Sequence, residues 1–81
     1  MKASSVKKVA KSYTSEQLSA AIEAVTEREE EILDIPGEDM GERLTHLLLA
    51  LRIRSRVDSG EEFKIAFRTE MQEVRQVLTN D

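Results

Sequence analysis

Residues 39–60 read as a single helix with apolar side chains on two separate sides, and this constrains the fold more than any other feature. On a 3.6-residue period Met40, Leu44, Leu47, Leu48 and Leu51 line one stripe, while Leu49, Ala50, Ile53 and Val57 line a second. Arg43 and Arg54 lie on one ridge between the stripes, Arg52 and Arg56 on the other. A helix at the edge of a small monomer needs only one buried stripe. Two stripes require a central helix flanked by others, or a helix that also meets a second chain.

The length sharpens that choice. Eighty-one residues make one domain, and a chain this short has a small core that commonly needs disulfides, a metal or self-association. The chain has no cysteine, which excludes disulfides and thiolate zinc sites. Self-association is the supplement that fits. Aromatic residues are limited to Tyr13, Phe63 and Phe67, so the core is built from Leu, Ile, Val, Ala and Met, a composition suited to packed helices. The longest apolar run, Leu47–Leu51, is five residues, against the ~20 of a membrane span. The lysines near the N-terminus are not followed by an apolar signal core, and a cytoplasmic location without membrane contact is expected.

Charge is segregated along the chain. Met1–Ser15 holds Lys2, Lys7, Lys8 and Lys11 and no acid; Glu16–Glu42 holds ten acids and the single base Arg28. Arg43–Val57 has four arginines and no acid. The net charge of −4 opposes general affinity for nucleic acid, while leaving room for local basic surfaces.

Local signals then divide the chain. Residues 1–13 are basic and weakly periodic; Val6 and Val9 suit a short strand or helix, but a loosely ordered segment is expected. A single helical domain spans 14–79. Thr14-Ser15-Glu16-Gln17 has the spacing of a capping box, and Leu18, Ala21, Ile22, Val25 and Ile32 recur on one side, predicting a helix over 15–31. Ile35-Pro36-Gly37 breaks the pattern. Asp39 with Glu42 repeats the capping spacing and opens the middle helix over 40–58. Ser59 with Glu62 repeats it again, and Gly60 permits a left-handed cap. A third helix over 60–78 carries the stripe Phe63, Ala66, Phe67, Met71, Val74, Val77 and Leu78. The expected architecture is all-α, a compact three-helix bundle with Leu18/Ile22/Val25, Leu44/Leu48/Leu51 and Phe67/Met71/Val74 in the shared core. Residues 52–67 also alternate with period two, as a β-hairpin would, but the 3.6-residue series runs through both flanks of that segment and favours helices.

Few residues invite chemistry. His46 stands one turn after Glu42, a spacing that can present two metal ligands. A di-metal helical site needs Glu-x-x-His from each of two helices, and Arg43 occupies that position here. Glu27, Glu29, Glu30 and Glu31 fan around a helix end and do not make a pair of differently solvated carboxylates. The three glycines 37, 41 and 60 serve turns and caps, and no phosphate loop is present. No catalytic residue, metal or cofactor is expected, and the protein reads as a non-enzyme.

Two kinds of contact surface remain. Leu49, Ile53 and Val57 are assigned to a homodimer contact, with Arg52 and Arg56 pairing across the seam with acids of the partner. The intramolecular alternative has helices packing on opposite sides of the middle helix. As a second functional class, Lys64, Arg68, Gln72 and Arg75 fall in one exposed sector after a short glycine-containing turn, as on the recognition helix of a helix-turn-helix protein. Glu61 and Glu73 flank that sector and weaken it as a phosphate-facing surface.

The series Gly37-Glu38-Asp39-Met40-Gly41-Glu42, Leu44-Thr45-His46-Leu47 and Gly60 with Phe63-Lys64-Ile65-Ala66 resembles a family of small helical proteins of no known function met in bacterial and tailed-phage genomes. The resemblance covers most of the chain after Tyr13. It implies a compact helical accessory protein and carries over no activity, cofactor or site residue. The expected function is a non-enzymatic protein-interaction module, regulator or inhibitor-like, and homodimeric, with nucleic-acid binding as the alternative.

Overall fold

A computed structural model describes the backbone of residues 1–79 and the side chains of residues 1–76. It contains helices α1 (Ala3–Ser12), α2 (Ser15–Arg28), α3 (Met40–Asp58) and α4 (Phe63–Thr79), and no strand among the described residues. The fold is therefore all-α with four helices, one more than expected. The stretch considered as a hairpin is the end of α3 and the start of α4. Val77 and Leu78 lie on α4, with side chains outside the described residues.

Three signals explain where the helices start and stop. Thr14 forms the complete capping box: its hydroxyl accepts from Gln17 N at 3.1 Å, and Gln17 Oε1 accepts from Thr14 N at 2.9 Å. Asp39 makes half of one. Its carboxylate accepts from Glu42 N at 2.8 Å, whereas Glu42 reaches back to Glu38 N rather than to Asp39. α2 ends three residues before the expected boundary. Glu29 takes a left-handed conformation, φ 52°, and Glu29 N and Glu30 N donate to Val25 O and Ala24 O. Ser59 ends α3 with its hydroxyl on Arg56 O instead of opening α4, so α4 begins at Phe63 and not at Gly60.

α3 is the axle. α1, α2 and α4 each pack chiefly against it, and its residues Leu47, Leu49, Ala50 and Ile53 are buried together with Leu18, Ala21 and Val25 of α2 and Ala66 and Met71 of α4. The segment expected to be loose is part of this core: Val6, Val9 and Ala10 of α1 are at most 1% exposed. Val6 and Val9 bring β-branched apolar surface to α3 at helical spacing, and their burial holds a basic helix whose lysines remain in water.

The two stripes of α3 exchange the roles assigned to them. Ile53 is 0% exposed and belongs to the monomer core, as do Leu49 and, in part, Val57. Leu48 is 45% exposed, with Leu44 and Leu51 half-buried. Three helices packed around one axle cover more than half of its circumference, so the broader arc is buried inside the chain. The stripe predicted for a partner is consumed internally.

Buried polar groups fasten the axle to its surroundings. His46, 0% exposed, accepts from Lys2 N at Nε2 (3.4 Å) and lies 2.6 Å from Pro36 O at Nδ1. A carbonyl only accepts, so Nδ1 carries the proton and the ring is the neutral tautomer that joins α1, the 29–39 connection and α3. Arg43 grips that connection with a two-pronged contact to Glu31, 2.5 and 2.9 Å, and a bond to Gly37 O at 2.9 Å. Gly37 has φ 154°, and a Cβ there would stand 2.6 Å from Arg43 Cγ, so the residue must be glycine for the arginine to pass.

Candidate functional site

α1 and α4 sit on neighbouring sides of α3 without packing closely against each other, and the space between them is a groove of about 650 Å³. Its apolar lining comes from Met1 and Ala3 on one wall and Phe67, Met71 and Val74 on the other. Its polar lining is almost wholly cationic: Lys7 from α1, and Lys64, Arg68 and Arg75 from α4, with Gln72 between the last two. No carboxylate lines it among the described residues.

A second, smaller hollow continues the surface past Lys7 to Lys11 and Phe63. There the ammonium groups cover the rings. Lys7 Nζ is 5.8 Å from the centroid of Phe67, and Lys11 Nζ is 5.2 Å from that of Phe63. The two rings lie nearly parallel, 8° apart in plane and 6.3 Å between centroids.

The electrostatic character follows from what these cations lack. Lys7, Lys11, Lys64 and Arg68 are exposed, and none has an ion pair among the described residues. By contrast, Arg52 and Arg56 are engaged inside the chain. Arg52 Nε donates to Glu70 at 2.6 Å and its Nη2 to Glu73 at 2.9 Å. Arg56 Nε donates to the other oxygen of Glu70 at 2.5 Å, and its Nη1 and Nη2 reach Glu61 and Glu73. Glu70 is only 2% exposed, and its two carboxylate oxygens each accept from a different guanidinium group, so that it sutures α3 to α4. The bonds to Glu70 and Glu61 raise the Arg56 guanidinium above its ordinary range.

The predicted contact residues therefore divide. Leu49 and Ile53 are buried in the core and Val57 packs against it, while Arg52 and Arg56 are paired with Glu70, Arg52 with 60% of its side chain still exposed. Lys64, Arg68, Gln72 and Arg75 are brought together on one rim of the groove. The α1 side of that groove is not foreseen from the sequence, because residues 1–13 are expected to be loose; the clue is the run of four lysines without an acid. Glu70 is likewise not foreseen, and its clue is its place between Ala66, Phe67, Met71 and Val74 on the apolar stripe of α4. Glu42 and His46 do not converge on an ion: both His46 nitrogens are in use, and Glu42 lies 3.8 Å from the N-terminal ammonium. Among the described residues no three His, Cys, Asp or Glu side chains gather as a metal set, and no helix is long and apolar enough to cross a membrane.

Fold and groove together define a small all-α domain that offers a basic, greasy cleft between its first and last helices. The chain belongs to a family of unknown function, DUF6952, whose model matches residues 1–79. No curated protein and no solved structure matches it. The family match reaches back through α1, consistent with that helix being an integral part of the domain.

Proposed function

We propose that this protein is a non-enzymatic interaction module that binds an acidic, apolar-bearing segment of a protein in the groove between α1 and α4. The observation that carries the reading is that Lys7, Lys64 and Arg68, exposed and without an ion pair among the described residues, stand beside a wall of Phe67, Met71 and Val74. Charged residues arranged around an apolar floor recruit a ligand of opposite charge and then bury its side chains. The setting is that of a cytoplasmic accessory protein, regulator or inhibitor-like, of the kind the resemblance to bacterial and tailed-phage proteins implies.

Nucleic acid is the second reading, favoured by the meeting of Lys64, Arg68, Gln72 and Arg75 on one rim. Two features place it behind the first. Lysines already cover the ring faces on which bases would stack, and an apolar wall has no use for phosphates. Fluorescence anisotropy with a labelled acidic peptide carrying leucines at i, i+4 spacing tests the choice, with a glutamine-for-glutamate peptide and a labelled oligonucleotide as controls. Binding of the acidic peptide alone, weakened by Lys64→Glu with Arg68→Glu, is expected. Oligonucleotide binding lost in that variant, with no peptide binding, would transfer the assignment to nucleic acid.

A further inference from the structure

We infer that the groove is filled by a second copy of this chain, through the acidic segment that follows α2. The inference rests on the reading of the groove as an acidic-segment site, and goes further by naming the occupant. The complement to the groove is present on the chain itself. Residues 29–39 connect α2 to α3 without helix or strand, and Ile32 in this connection is 47% exposed. Around it Glu27, Glu29 and Asp34 are exposed and have no ion pair among the described residues. Glu30 has only an exposed pair with Arg28 at 3.5 Å. An apolar side chain flanked by carboxylates without ion pairs matches an apolar wall rimmed by the ammonium groups of Lys7 and Lys64 and the guanidinium group of Arg68.

The segment does not reach its own groove. Asp34 and Pro36 line a different hollow, with Lys8, Val9 and Ser12, and no residue of 29–39 is among the described residues lining the groove. Only another molecule can deliver Ile32 to Phe67 and Met71. A two-fold exchange places each segment in the other copy's groove, satisfying both sites at once and closing the assembly. It also covers two surfaces that a single copy leaves in water, an exposed isoleucine and the apolar wall of the groove. The stripe Leu49/Ile53/Val57 has no part in this contact.

The test is a charge exchange read by sedimentation equilibrium at low and high salt. Wild-type protein is expected to approach twice its 9.2 kDa mass at low salt and to dissociate as salt rises. The double variant Lys64→Glu/Arg68→Glu presents acid to acid, and Glu27→Lys/Glu29→Lys presents base to base. Each alone is expected to self-associate at least about tenfold more weakly than wild type, from two exposed charge pairs lost at each of the two symmetric contacts. All four positions are exposed, and circular dichroism checks that both variants remain folded. Mixed together, the variants form one contact of native sign and one of reversed sign, both attractive, and are expected to form the heterodimer. A wild-type mass of one chain at low salt, unchanged association in the single variants, or a mixture that stays monomeric would overturn the inference. The acidic-peptide titration separates the two levels. A monomer that still binds the peptide leaves the groove's function standing and removes only its occupant, whereas a protein that binds neither removes both.

Discussion

Truncating Ile53 puts a number on the central claim about α3. The side chain is 0% exposed and lies among Leu49, Ala50 and the facing residues of the other helices. Ile53→Ala removes three carbons' worth of buried apolar surface, about 2.4 kcal/mol at ~0.8 per methylene, and the cavity left behind adds to it. A total of about 3–4 kcal/mol follows. A chain of 81 residues is held by roughly 4–12 kcal/mol, taking ~0.05–0.15 per residue. The substitution thus removes roughly a quarter or more of the stability, and the thermal midpoint falls by roughly 12–30 °C. Urea denaturation followed by helical circular dichroism reads this directly, with the slope retained and the midpoint lowered. Ile53→Glu puts a carboxylate at a fully buried position of the apolar core and is expected to leave no cooperative transition at all. If Ile53→Ala shifted stability by less than about 1 kcal/mol, or if Ile53→Glu stayed folded and altered only the sedimenting mass, the residue would be an interface residue. The arrangement of α3 as the axle of the core would then be wrong.

Three further outcomes follow from the same contacts. Glu70→Gln keeps the volume of the α3–α4 suture but not its charge, and is expected to cost about 2–3 kcal/mol in urea denaturation through the loss of two charge-assisted bonds; an unchanged midpoint would show that the arginines find other partners without loss. Glu29→Gly relieves a side chain held at φ 52° and is expected to stabilise the protein by about 0.5–1 kcal/mol, so a lower thermal midpoint would contradict the strain argument. The Arg43 contact holds the Glu31 carboxyl below its ordinary value of 4.5. A depressed acid stabilises the fold fully above that ordinary value and loses its contribution as pH falls through the lowered one. Wild type should therefore lose more stability than Glu31→Gln between neutral and strongly acidic pH, and parallel pH profiles would refute the linkage.

Much of this architecture is legible along the chain, and for identifiable reasons. The Thr14–Gln17 box, the Asp39 cap and the Pro36-Gly37 break act over three or four residues, so the start of α2 and both ends of α3 are local properties. The stripes of α3 are likewise fixed by spacing, as is the all-α class. What spacing cannot say is which of two apolar arcs faces inward. That depends on how many helices surround the axle, and it was decided by α1, whose weak periodicity hides two valines and an alanine that fit against α3. Once α1 docks, Ile53 becomes core, Leu48 becomes surface, and Arg52 and Arg56 meet Glu70 across 14 to 18 residues of chain.

The groove divides in the same way. The cationic row Lys64, Arg68 and Arg75 is a matter of helical period and can be read from residue order alone. Its opposite wall, with Lys7 and Met1, comes from the far end of the polypeptide. Charge and hydropathy along the chain determined which helices form and which of their side chains carry charge. Tertiary packing alone decided which faces meet, because burial is settled by the neighbours an arc acquires, and those neighbours are distant in sequence.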